Sequence, residues 1–287
     1  MSANKPLLLD GGMGTMLQQM GLKPGENGEL LNLTRPDWIA SVHRAYLAAG
    51  SQVIYTNTFG ANRRKLRGTG ASVAQVVQAG VRIARQEAQA AGARVALDIG
   101  PLGALLEPLG TMTFEEAYDL FAEIAEAGKD ADLVVIETMT DLQEARAALL
   151  AAREHTDLPV YVTMSFEATG RTFTGCTIAS MARTLEGLGA AAVGINCSLG
   201  PVEILPMIEE LRRHTRLPAI AKPNAGLPEI VNGTAIYKTT PEAFAWERYS
   251  APKPSSASEA SCRRRPAQST RPTTGAPILI AIGVPQV

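Results

Sequence analysis

The 287-residue chain contains only three cysteines and three histidines. The number of cysteines is odd, and they are Cys176, Cys197 and Cys262. The N-terminal stretch MSANKPLLLDGG contains an apolar run that is too short for a signal peptide. We therefore expect a cytoplasmic protein with free or metal-bound thiols, and no disulfide framework. No histidine stands in H-E-x-x-H and no serine in G-x-S-x-G, so zinc-protease and serine-hydrolase chemistry lack support.

The sequence also lacks an excess of positive or negative residues, and it lacks a long apolar run. Lys and Arg total 27 against 28 for Asp and Glu, a net charge of −1, so nothing predicts nucleic acid or an anionic membrane as a partner. No run approaches the roughly 18 apolar residues of a membrane span. Hydrophobic residues at 46% and charged residues at 19% are typical of a globular protein with a large core.

Short apolar runs recur along the chain, with Ala-, Leu-, Glu- and Arg-rich amphipathic stretches between most of them. The runs lie at 6–10, 52–59, 94–100, 132–139, 160–166, 191–197 and 219–224. They are nearly continuous in hydrophobicity, as expected of strands that are covered on both faces. This alternation predicts an α/β fold, and a parallel (β/α)8 TIM-type barrel rather than an open doubly wound sheet.

The composition changes abruptly after Ala245. Residues 1–245 read as the barrel, whereas residues 246–287 are dominated by Pro, Ser, Arg and Thr and read as a poorly ordered tail. One apolar run, PILIAIGV, ends the sequence and is able to serve as an eighth strand, although no helix follows it. We therefore expect the last strand–helix unit to be incomplete or replaced, with exposed edges on the first and seventh strands.

Polar residues stand at the ends of the apolar runs. They are Asp10, Thr56 to Thr58, Asp98, Glu137, Ser165, Asn196, Cys197, Lys222 and Asn224. In a barrel these ends converge on one mouth, where active sites lie. Each residue taken singly is equally well explained as a helix cap or a turn residue. Their recurrence on so many strands favours a functional mouth.

The DGGMGT stretch after the first run suggests a ligand. It lacks the Lys-Ser/Thr of a phosphate loop and the full G-x-G-x-x-G spacing. Its glycines suit a tight turn with backbone close to a small molecule. Asp10 is able to hold an amine and the backbone N–H groups a carboxylate, which together are the handles of an α-amino acid.

Six ordered motifs carry a resemblance to a known family. They are LLLDGGMGTMLQ, TNTFGANR, DIGPLGALLEPLG, IETMTDLQEARAAL, GINCSLGP and KPNAGLPEIVNGTAIYKTTPEAFA, between Leu7 and Ala245. The chain resembles the homocysteine S-methyltransferases, and most of all the homocysteine-binding module of the cobalamin-dependent members. The resemblance implies a (β/α)8 barrel enzyme that transfers a methyl group to the zinc-activated thiolate of homocysteine, giving methionine.

The resemblance also implies roles for particular residues. Asp10, Gly11, Thr56 and Glu137 match positions that contact the substrate, with Glu137 suited to an ammonium group and Thr56 to a carboxylate. Cys197 matches the first of three zinc-binding cysteines. The implied methyl donor is a methyl-corrinoid on a separate chain or module, or S-methylmethionine.

The sequence departs from the family where the other two zinc ligands belong. A Gly-Gly-Cys-Cys-Gly motif is absent, and that region reads SCRRRPAQST, with Cys262 as its one cysteine. Catalytic zinc sites use three protein ligands. An alternative is therefore a metal-site-defective, non-catalytic member that at most binds homocysteine or methionine. A third possibility is an aldolase or decarboxylase that uses Lys222 as a Schiff-base amine.

Overall fold

Eight parallel strands close into a barrel in the computed structural model, which describes residues 6–197, 199–226, 229–231, 234–236, 244 and 278–281. The barrel strands are β1 (Leu7–Leu9), β2 (Val53–Tyr55), β3 (Arg94–Ile99), β4 (Leu133–Met139), β5 (Val160–Met164), β6 (Ala192–Asn196), β7 (Ala219–Lys222) and β10 (Ile278–Ala281). A separate antiparallel pair consists of β8 (Glu229–Val231) and β9 (Thr234–Ile236). The TIM-type barrel and the seven apolar runs predicted as strands are confirmed.

The eighth barrel strand comes from the closing apolar run. In β10, Leu279 is in register with Leu7 of β1, and Ile280 is in register with Ala221 of β7. The expectation of exposed edges on the first and seventh strands is therefore wrong, because a short apolar segment far along the chain pairs with both. Within the predicted tail, residues 278–281 thus belong to the barrel. The predicted boundary at Ala245 lies outside the described residues.

Helices follow most of the strands and cover the barrel. Their bounds are α1 Met13–Gln19, a 3-10 turn Gly28–Leu30, α2 Leu31–Thr34, α3 Pro36–Ala48, α4 Val73–Ala91, α5 Phe114–Ala127, α6 Leu142–His155, α7 Ile178–Gly187 and α8 Pro201–His214. A capping box begins α5: Glu116 N donates to Thr113 Oγ1 at 3.1 Å, and Thr113 N donates to the Glu116 carboxylate at 3.0 Å. No helix in the described part of the chain is long and apolar enough to cross a membrane.

Two apolar layers hold the barrel together. The larger lies between the strands and the helices, and the smaller fills the barrel interior with residues such as Leu9, Val53, Leu133 and Ile220. The strands approach closely at Gly194 of β6, where an added Cβ would lie 2.4 Å from Ile220 Cβ. Only glycine fits there without moving the neighbouring strand. This packing fixes the ends of β6 and β7, which carry two residues of the mouth described next.

Candidate functional site

The four side chains predicted as ligand or metal contacts lie at one mouth of the barrel. Asp10 directly follows β1, Thr56 follows β2, Glu137 stands near the end of β4, and Cys197 follows β6. All these strands are parallel and belong to one closed sheet, so their C-terminal ends open on the same side. Gly11 continues from Asp10 toward α1, and it is half-buried.

Asp10 is a buried carboxyl group, and one of its two oxygens has no hydrogen-bond partner among the described residues. Its Oδ2 accepts a hydrogen bond from Tyr55 N at 2.7 Å. Its Oδ1 is buried without a hydrogen-bond partner among the described residues. Burial raises the pKa of Asp10 to about 7, although Lys222 and the Tyr55 amide act in the opposite direction. A buried, unpaired carboxyl oxygen is costly, and a bound ammonium group would relieve that cost.

Glu137 and Lys222 form an ion pair across the mouth. Lys222 Nζ donates to Glu137 Oε2 at 2.8 Å, and both side chains are almost buried, at 11% and 12% exposure. The ammonium also lies 3.9 Å from the centroid of the Tyr55 ring, within cation–π range. Burial lowers the pKa of Lys222, but Glu137, Tyr55 and the neighbouring carboxylates outweigh it and hold that pKa well above its usual value. Because Lys222 stays protonated, the structure gives no support to a Schiff-base amine.

Thr56 is held in a hydrogen-bond network that joins β2 to β3. Asp98 N donates to Thr56 Oγ1 at 3.0 Å, and Thr58 Oγ1 donates to the Asp98 carbonyl at 2.7 Å. The Thr58 hydroxyl hydrogen is thus used, so in the 2.6 Å contact between the two hydroxyls Thr56 is the donor. A ligand carboxylate would have to displace Thr58 to accept a hydrogen bond from Thr56.

Cys197 is positioned by its neighbour Asn196 and by Thr138 at the end of β4. Asn196 Oδ1 accepts from Thr138 N at 2.9 Å, while Asn196 Nδ2 donates to Thr138 Oγ1 at 2.8 Å and to Cys197 Sγ at 3.3 Å. Ser165 Oγ donates to the Asn196 carbonyl at 2.9 Å. Thr138 and Cys197 have φ angles of 64° and 58°, which residues with side chains rarely adopt. Strained backbone of this kind clusters at functional sites.

The Cys197 thiol is not activated by these surroundings. Burial raises its pKa, and the charge of Glu137 acts in the same direction, while the hydrogen bond from Thr138 and the charge of Lys222 lower it. A thiol in this setting is a poor nucleophile and a poor metal ligand until a positive charge stabilises the thiolate.

The described residues do not supply a three-ligand metal site. Across residues 6–226 apart from Ser198, and in the short described stretches beyond, no three His, Cys, Asp or Glu side chains are grouped to hold a metal ion. Cys176 lines a separate cleft of about 790 Å³, which contains none of the predicted contacts. Cys262 lies outside the described residues. Cys197 is thus the one described thiol at the mouth, and the described donor set does not fit a zinc ion held by three thiolates.

Two residues of the mouth escape sequence reasoning. Tyr55 stands within an apolar run, where its ring reads as core, and no pattern indicates that it lies under the Lys222 ammonium. Thr138 follows Glu137 in the sequence and is not singled out there, because no sequence pattern indicates a left-handed backbone at a β-branched residue. The one available hint is that both directly neighbour residues that the sequence does single out.

Comparisons with known proteins agree with this geometry. A family model described as homocysteine S-methyltransferase matches residues 7–261. Methionine synthase from Mycobacterium tuberculosis is 35% identical over 256 residues, which cover 82% of this chain and 21% of that protein. Methionine synthase from Mycobacterium leprae is 34% identical over 263 residues, covering 85% and 22%. The chain thus spans about a fifth of the length of these relatives.

Solved structures show the same fold. The metallated form of the homocysteine methyltransferase MmuM from Escherichia coli has a TM-score of 0.69 and 23% identity, covering 77% of this chain and 85% of that one. Its oxidized form has a TM-score of 0.73 and 20% identity, covering 96% and 90%.

Proposed function

Since this chain belongs to the homocysteine S-methyltransferase family, we propose that its barrel mouth binds L-homocysteine as the acceptor of a methyl group, giving methionine. The observation that supports the proposal most is Asp10, a buried carboxyl group with an unpaired oxygen at the mouth. An α-amino acid brings the ammonium group that such an oxygen lacks. Family membership favours homocysteine as that amino acid.

In the proposed complex the amino-acid end of homocysteine lies against Asp10, Gly11 and Glu137, and its sulfur lies toward Cys197. Asp10 Oδ1 accepts from the ligand ammonium, and the Gly11 backbone N–H is available to a carboxylate oxygen. Glu137 already pairs with Lys222. It therefore interacts with the ligand ammonium while it keeps its ion pair with Lys222. Thr56 contributes chiefly by holding β2 against β3.

Methyl transfer needs the sulfur of homocysteine as a nucleophile. The sulfur forms a new bond to the methyl carbon, the bond from that carbon to the donor breaks with its electron pair remaining on the donor, and the thiol proton passes to water. We propose as donor either a methyl-corrinoid on another chain or module, or S-methylmethionine. The few cysteines keep a cytoplasmic location as our expectation.

The zinc ion that the family resemblance implies is not matched by the described residues. A second candidate function is therefore favoured by one specific observation, the single thiol among the described residues of the mouth: the chain binds homocysteine or methionine but transfers methyl groups slowly or not at all. An unactivated homocysteine thiol keeps its proton at neutral pH, since the reference thiol pKa is about 8.5. We expect purified protein to hold much less than one zinc per chain.

Calorimetry with L-homocysteine and L-methionine tests the binding proposal. Asp10→Ala removes a charged hydrogen-bonding group, a contact worth about 1.5–3 kcal/mol, so affinity should fall about 10- to 150-fold. Asp119→Ala, an exposed acid on α5, is the matched control and should bind like the wild type. Equal affinity for wild type and Asp10→Ala would remove Asp10 from the site.

Metal analysis together with methionine production separates the two candidate functions. A zinc-free chain that binds homocysteine without turnover identifies the non-catalytic member. One tightly held zinc per chain, lost together with methionine production on Cys262→Ser, would show that Cys262 belongs to the metal site and that the chain is a functional methyltransferase.

A further inference from the structure

The ammonium of Lys222 has more donors than the described residues use. A lysine head group carries three N–H donors. Among the described residues, Nζ donates one hydrogen bond, to Glu137 at 2.8 Å, and its other contact is the face of the Tyr55 ring at 3.9 Å. One N–H bond is left, on a nearly buried cation at the mouth.

The other side chain suited to a ligand carboxylate is already engaged. The Thr56 hydroxyl donates to Thr58 and accepts from Asp98 N, so its one hydrogen is used inside the network. The neighbouring side chains Asp10, Asp98 and Glu137 are acids and offer a carboxylate no positive charge. Lys222 is thus the one described basic side chain in contact with this acidic cluster.

We propose that Lys222 receives the α-carboxylate of the bound amino acid and so selects zwitterionic ligands over ligands without a carboxylate. This inference rests on the proposed function, because it assumes that an α-amino acid occupies the mouth. Asp10 and Glu137 then attract the ligand ammonium, while Lys222 pairs with the carboxylate beside them. The Glu137–Lys222 ion pair presents one charge of each sign to the two charges of the ligand.

Lys222 and Cys197 stand at neighbouring strand ends of the mouth. Cys197 N donates to the Lys222 carbonyl at 3.0 Å, and Asn196, the residue before Cys197, is in register with Lys222. In the proposed complex the carboxylate of homocysteine therefore lies toward Lys222 and its sulfur toward Cys197.

Two ligands and three proteins test the inference. L-Methionine and L-methioninamide share the ammonium and the thioether, but the amide has no carboxylate. Calorimetry on the full chain should give a methionine affinity at least about 10-fold above that of methioninamide, the range expected of a charge-assisted hydrogen bond. Lys222→Met should abolish this preference by weakening methionine alone, and Lys222→Arg should retain it. Lys129→Met, on the surface beside Glu126, is the charge-matched control and should behave like the wild type.

Each outcome decides the matter. If Lys222→Met weakens both ligands by the same factor, Lys222 is only structural and the inference is wrong. If wild-type protein binds methioninamide as tightly as methionine, the inference fails without any variant, even where Lys222→Met does not fold. If the wild type binds neither ligand, the proposed function fails as well. Binding of methionine without a preference over methioninamide contradicts only the role of Lys222.

Discussion

Asp10 should make the stability of the protein depend on pH. Its pKa is raised from the usual 3.8 to about 7, chiefly by burial. Between these two values the folded protein holds a proton that the unfolded chain has released, so the free energy of unfolding falls as pH rises from about 4 to about 7 and then levels off. The sign is opposite to that of a carboxylate stabilised by an ion pair.

The magnitude follows from the two pKa values. Linkage for a single group with these values gives a loss of about 2–3 kcal/mol between pH 5 and pH 8. Asp10→Asn keeps the shape of the side chain and an acceptor for Tyr55 N, but it does not titrate. The variant should therefore gain about 2–3 kcal/mol relative to wild type over that interval.

Urea denaturation of wild type and Asp10→Asn at pH 5, 6, 7 and 8 measures this difference. Asp119→Asn, an exposed acid on α5, is the control and should follow the wild-type curve. Other buried acids, such as Asp98 and Glu144, are common to both proteins and contribute to both curves. Parallel curves for wild type and Asp10→Asn would refute the reasoning, because they would mean that Asp10 titrates alike in the folded and unfolded chain.

Three further changes test the packing and the polar network. Gly194→Ala places a Cβ 2.4 Å from Ile220 and should cost about 1–3 kcal/mol in urea denaturation, whereas Gly187→Ala, which meets nothing within 4 Å, should cost little. Thr138→Val removes the hydroxyl that accepts from Asn196 Nδ2 and should lower the free energy of unfolding by about 1–3 kcal/mol; an unchanged denaturation midpoint would contradict this. Deleting residues 276–287 removes β10 and should expose the edges of β1 and β7, which light scattering would detect as aggregation; a monomeric truncated protein would contradict the role of β10.

Most of the fold was predictable because the strands are continuous apolar runs. The strands end within a few residues of the predicted ends, and helices lie between most of the strands as the amphipathic stretches predict. The run PILIAIGV was recognised as able to form an eighth strand, but its pairing with both β1 and β7 was not expected. Composition describes the segment 246–287 as a whole, whereas a strand needs only the four residues 278–281. The apolar character of these four residues thus decided the structure of this segment, despite the polar composition around them.

The mouth was predictable in location but not in contacts. Asp10, Glu137 and Cys197 stand at strand ends, and a parallel barrel necessarily brings strand ends together. Glu137 and Lys222 are 85 residues apart in the sequence, and their pairing depends on the side-chain conformations that the folded barrel imposes. Likewise, the use of the Thr56 hydroxyl by Thr58 is decided by the local backbone, which the sequence alone does not reveal.

A crystal structure of the full chain with L-homocysteine tests the central claim most directly. We expect electron density for the amino acid at the C-terminal mouth of the barrel, with its ammonium within hydrogen-bond distance of Asp10 Oδ1 and its sulfur on the side of Cys197. Density in the cleft beside Cys176, or an empty mouth at saturating ligand in a protein that binds homocysteine in solution, would contradict it.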